Sequence, residues 1–80
     1  MQSKSTSKMN KEVFKRKLAL TIRQLREEKG VAQDIVWFDE GIHIARLESG
    51  KIDPRISTIS RLCDYFEITI SEFFEKVESL

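Results

Sequence analysis

Apolar residues return every three or four positions from Val13 to Leu25, and no other feature constrains the fold of this chain as strongly. Val13, Phe14, Leu18, Ile22 and Leu25 fall on one side of an α-helix that opens after Asn10, a suitable N-cap, and stops at Gly30. A second helix is expected from about residue 33 to residue 40, with Asp34 near its positive end and Gly41 breaking it. A shorter third covers roughly Ile42 or His43 to Ser49, closed by Gly50 as Gly30 closes the first. Asp53 and Pro54 fit a cap followed by proline in the first turn of a fourth helix, whose apolar face is Ile56, Ile59, Leu62, Cys63 and Phe66. After Ile68, Thr69 and Ile70, Ser71 with Phe73, Phe74 and Val77 marks a fifth. No pair of strands with a hairpin turn competes with these helices.

Eighty residues hold one core at most, because a chain this short buries only about 60% of the surface it exposes when unfolded. Five short helices with loops of two to six residues then predict a compact all-α domain over residues 10 to 80. Residues 1 to 9, rich in Ser and Lys and without apolar period, read as a disordered basic tail outside it. The opening MQSKSTSKMNK has no apolar stretch behind it, and the longest apolar run is IVWF at 35 to 38. Neither a signal peptide nor a membrane span is expected. The single cysteine, Cys63, cannot form an internal disulfide, so a cytoplasmic protein is expected.

The net charge of +1 conceals an asymmetry. Residues 1 to 31 carry nine Lys/Arg against three Asp/Glu, or +6, whereas residues 32 to 80 carry five against ten, or −5. A basic half can steer a protein toward nucleic acid, and a solvated charged helix gives the same count. The connection at Gly41 is more informative. Two short helices joined by a tight glycine turn allow the second to lie in a DNA major groove while the first crosses the backbone.

Read together, LREEKGVAQDIV at 25 to 36, the pair Gly41-Ile42, IARLESGK at 44 to 51 and TISRLCDYFEITISEFF at 58 to 74 resemble the lambda-repressor-like (Xre-type) helix-turn-helix family. The likeness covers about residues 18 to 75, with Gln33, Gly41, Ile44, Leu47, Glu48, Gly50 and Lys51 at the family's positions. Two departures stand out. The family carries three more residues before the position of Ile44, at the start of its recognition helix. Their loss is close to one turn and, with nothing else moved, rotates the remainder by about 60°. The second departure is Trp37, where the family has a small residue at the crossing of helices 2 and 3. An indole forced between closely crossing helices costs roughly 1 to 3 kcal/mol, so Trp37 is expected to fill the volume left by the missing turn, packed beside the third helix.

The resemblance implies contacts with double-stranded DNA. Arg46 matches a position pointing into the groove, where an arginine can hold guanine O6 and N7 together; its other reading is a solvated side chain. His43, at the helix start, can donate to a phosphate or a guanine acceptor, or be a surface or capping histidine. Gln33 is similar to the family's phosphate-clamping glutamine, with helix capping as the alternative. Lys51 and Arg55 are placed for phosphates or are plain surface. Asp53 departs from the asparagine often found there and weakens DNA binding unless its oxygens cap helix 4. The resemblance also implies an ion pair between Arg26 and Glu48.

Catalysis finds no support, because Cys63 sits on a buried stripe and the single His and Cys make no zinc site by spacing. No metal and no cofactor is implied, and glycine-rich phosphate loops are absent. The expectation is therefore not an enzyme but a transcriptional regulator that binds a palindromic operator as a homodimer, with Phe73, Phe74, Val77 and Leu80 as candidate dimer surface. The alternative is a protein-interaction or antitoxin module of the same fold, with little base recognition and a protein partner at Trp37 and Phe38.

Overall fold

The structure is a computed structural model that describes residues 10–80; the tail expected at residues 1 to 9 lies outside the described residues. Five helices follow one another: α1 (Lys11–Lys29), α2 (Gln33–Glu40), α3 (Ile44–Glu48), α4 (Ile56–Phe66) and α5 (Ile70–Ser79). Among the described residues there is no strand.

The ends of α1 follow from its flanking residues. Asn10 is extended, and its Oδ1 accepts from the Val13 N–H at 2.9 Å. Gly30 turns left-handed at φ 78°, which lets its N–H reach the carbonyls of Arg26 and Glu27. Between these ends Leu18, Ile22 and Leu25 form a buried stripe, joined by Thr21, whose hydroxyl donates to the Lys17 carbonyl at 2.8 Å. This stripe is the spine of the domain, because α3, α4 and α5 all pack on α1. Ile44 and Leu47 from α3, Ile59 and Leu62 from α4, and Phe73 and Val77 from α5 complete one core.

α2 touches the rest differently. Of its apolar residues only Val36 enters the core. Its C-terminal end is held from α4 by polar contacts: the Tyr65 hydroxyl donates to Asp39 Oδ2 at 2.8 Å, and Arg61 donates to the Glu40 carbonyl and pairs with its carboxylate at 3.5 Å. Lys29 Nζ lies 4.9 Å from the centre of the Tyr65 ring, tying the end of α1 into the same corner.

Three expectations are corrected. Asp53 and Pro54 do not open α4; its N-cap is Arg55, extended at φ −68° and ψ 149°, with no side-chain cap. A capping carboxylate reaches N–H groups two or three residues on. From Asp53 those belong to Arg55 and Ile56, too early to cap a helix that begins at Ile56, and Ile56 itself is 68% exposed. α5 is capped by Thr69 and not Ser71: the Thr69 hydroxyl accepts from Glu72 N–H at 3.0 Å, and Glu72 Oε1 accepts from Thr69 N–H at 2.9 Å. The bond from the Thr69 N–H, and after it the nearby Thr69 hydroxyl, hold the Glu72 carboxyl below the ordinary glutamate value. Finally, Phe73 and Val77 are fully buried within the domain, which removes them from any dimer surface and leaves half-buried Phe74 and exposed Leu80.

Candidate functional site

The connection between α2 and α3 shows how the chain manages with a short third helix. Gly41 ends α2 in the left-handed region at φ 69°, where a side chain is disfavoured, and its N–H bonds the Trp37 carbonyl at 2.8 Å. Ile42 then drops into the core. His43 follows at φ −76° and ψ 80°, and the Ile44 N–H bonds the Ile42 carbonyl at 2.9 Å across it. That geometry is an inverse γ-turn, the tightest reversal a backbone can make with a hydrogen bond. A three-residue γ-turn thus stands where the expected helix would have started at Ile42 or His43. α3 itself is five residues, about 7.5 Å long.

His43 and Trp37 meet over this turn. Their rings stack with centroids 4.3 Å apart at 20°. The indole remains 49% exposed, so it lies beside the start of α3 and covers His43 without entering the core. The two rings, with Gln33, Asp34, Ile44 and Ala45, line a groove of about 310 Å³ between α2 and α3.

The far end of α3 is fixed by charge. Arg26 Nε donates to Glu48 Oε2 at 2.6 Å and Nη2 to Oε1 at 3.1 Å, a two-pronged pair whose side chains are only 12% and 5% exposed. Arg26 Nη1 donates to the Val31 carbonyl at 2.8 Å, and Gln33 Nε2 adds a third hydrogen bond to Glu48 Oε1 at 2.9 Å. The hydrogen bonds that the guanidinium donates to Glu48 raise its pKa further above its already high value. One carboxylate therefore joins α1, the first residue of α2 and the last residue of α3. Gln33 is partly committed to this clamp, with one amide N–H and its oxygen left over.

The remaining candidates lie on the surface. Ile44 and Leu47 face the core, so Ala45 and Arg46 are the outward residues of α3, and the Arg46 side chain has no hydrogen bond or ion pair among the described residues. Ser49 closes the helix by donating to the Arg46 carbonyl at 2.6 Å and accepting from the Lys51 N–H at 3.2 Å, which places Lys51 directly beyond the end of α3. Arg55 is exposed at the mouth of α4. Gln33 and His43 share the groove; Arg46, Lys51 and Arg55 do not line it. Cys63 is buried, and burial pushes its thiol pKa up, away from the reactive thiolate.

Sequence reading named Trp37 and Phe38 on α2 as a partner surface but did not include Ile35 or the carboxylates of that helix in it. Phe38 is 85% exposed, Ile35 is exposed beside it, and the helix carries Asp34, Asp39 and Glu40 with no Lys or Arg. The signal was present in QDIVWFDE, since a four-residue apolar run on one short helix cannot all point inward. Among the described residues no helix is long and apolar enough to cross a membrane. No protein family, curated protein or solved structure matches the chain.

Proposed function

We propose that the protein is a cytoplasmic, double-stranded DNA-binding transcriptional regulator of the helix-turn-helix type, with α2 across the backbone and α3 at the major groove, acting as a homodimer on a palindromic site. The observation that carries this reading is the clamp on Glu48, which holds α3 rigidly against α1 and α2 while Arg46 is turned outward with no side-chain partner among the described residues. An arginine presented outward from a fixed helix can grip a guanine edge. Lys51 and Arg55 supply phosphate contacts, and Gln33 retains polar capacity beside the uncapped first turn of α2. His43 is held flat by Trp37, with its ring edge free to donate.

Magnitudes explain why two copies are needed. One bidentate arginine discriminates by about 1 to 3 kcal/mol, roughly 5- to 150-fold. Specific sites commonly exceed random DNA by roughly 10³-fold or more, which a two-fold dimer approaches by using the contact twice. The three carboxylates of α2 work against phosphate binding and favour the second reading, a protein-interaction module with little base recognition.

Duplex retention as a function of salt separates the two. A steep fall between about 50 and 200 mM salt is expected of the DNA reader, and no retention at the lower salt refutes it. On a duplex selected from a random pool, Arg46→Ala should cost about 1 to 3 kcal/mol, and much less on unselected DNA. Lys51→Ala should weaken both alike and lower the salt slope by about one. Equal losses on both duplexes for Arg46→Ala reduce its role to a phosphate contact.

A further inference from the structure

We infer that the outer face of α2 is a docking surface for a segment of another protein that carries apolar anchors beside lysine or arginine. The face is built by an eight-residue helix that turns about 100° per residue. With Val36 fully buried, Phe38 two positions later points about 200° away and has no route into the core. Ile35 lies one turn behind Phe38, and Asp34 lies one turn behind it on the other flank. Past Asp34 the surface continues into the groove walled by Trp37, His43, Ile44 and Ala45. Exposed apolar side chains and an open groove of about 310 Å³ are therefore contiguous, with one carboxylate between them.

Charge selects the occupant. Asp39 and Glu40 are engaged by Tyr65 and Arg61, whereas Asp34 has no hydrogen bond or ion pair to its side chain among the described residues. α2 carries no cation to answer it. At Asp34 and Phe38 a polyanion is repelled. A second copy meeting this face across a two-fold axis would set carboxylates against carboxylates. A basic, apolar-anchored segment satisfies both features at once: its anchors fill the groove and cover Phe38, and its cation pairs with Asp34. The bonds from Tyr65 and Arg61 hold the C-terminal end of α2 through Asp39 and Glu40, which do not line the groove, so the face is presented without rearrangement.

Trp37 is the sole tryptophan and borders the surface, so its emission reports on occupancy. The test uses two tryptophan-free peptides of equal length patterned as amphipathic helices, one of leucine and lysine and one of leucine and glutamate. The leucine-lysine peptide should shift Trp37 emission to shorter wavelength, saturably and with salt dependence, and the leucine-glutamate peptide should not. Phe38→Ser, at a position too exposed to matter for folding, should keep the parent melting temperature and weaken peptide affinity at least about tenfold, equivalent to about 1.4 kcal/mol. Asp34→Asn should flatten the salt dependence. Equal binding of both peptides, no response to the lysine peptide, or unchanged affinity in Phe38→Ser overturns the inference. Self-association of the free protein that Phe38→Ser abolishes would assign the face to a second copy and overturn it too. None of these readouts depends on whether the chain binds DNA.

Discussion

Replacing Glu48 by alanine removes an acceptor that three hydrogen bonds from two other helices share. Breaking a buried ion pair by deleting one partner costs about 3 to 5 kcal/mol, because the surviving charge is left desolvated. Arg26 keeps its bond to the Val31 carbonyl and is 12% exposed, and Gln33 can turn to water, so the low end, about 3 kcal/mol, applies. An 80-residue domain has about 4 to 12 kcal/mol in total, and each kcal/mol moves the melting temperature by roughly 4 to 8 °C at this size. Glu48→Ala should therefore melt roughly 12 to 24 °C below the parent by circular dichroism. Glu48→Gln, which keeps an acceptor but loses the charge, should fall about half as far. The double variant Arg26→Met with Glu48→Met removes both charges and should recover part of the loss. If Glu48→Ala melts within about 4 °C of the parent, or the double variant is worse than the single, the clamp does not hold α3 as argued.

Thr69→Ala should cost about 1 kcal/mol at neutral pH through the lost N-cap, measured as the shift in urea midpoint. Glu72 is held below its ordinary value by Thr69, so its contribution is present above the unfolded value of 4.5 and disappears as pH falls through the lower folded value. The difference between parent and Glu72→Ala should shrink on acidification through that range, because the Thr69 N–H that holds the carboxylate is backbone and survives in Thr69→Ala, and a constant difference would refute the reciprocal cap. Tyr65, the sole tyrosine, should ionise near pH 12 and not near 10.0 when followed by phenolate absorbance, chiefly because burial and then the bond to Asp39 favour the neutral phenol. Its contribution to stability is complete below 10.0 and is lost as pH rises toward 12; Asp39→Asn should move the midpoint down only part of the way, since burial remains, and an ordinary midpoint in the parent would contradict the contact between α2 and α4.

What could be read from the chain depended on range. The limits of α1 and α2 were legible because Asn10, Gly30 and Gly41 act on backbone groups a few residues away. The starts of α4 and α5 were misjudged for the same locality: Asp53-Pro54 and Ser71 are good helix openers in isolation, but the chain stays extended to Arg55, and Thr69 with Glu72 forms the better, reciprocal cap. α3 was expected longer because nothing in GIHI announces a γ-turn; the burial of both Ile42 and Ile44 around His43 imposes it. The Arg26 to Glu48 pair, 22 residues apart, leaves no mark in local pattern, and its position came only through resemblance to a family. Phe73 and Val77 went to the core because α1 and α5 lie against each other.

The γ-turn and the clamp bracket α3 at opposite ends, and this makes its length a matter of phase. Each residue added between His43 and Glu48 swings the Glu48 carboxylate by about 100° around the helix axis. One extra residue aims it more than a quarter-circle away from Arg26, and two carry it beyond the opposite side. Three or four bring it back to within about 60° or 40° of its bearing. The helix can therefore grow by whole turns and not by single residues, with His43 the place where a turn is admitted, since only one backbone hydrogen bond spans it there. An added turn would lengthen the outward edge of α3 beyond Ala45 and Arg46 while leaving the joint with α1 as it is.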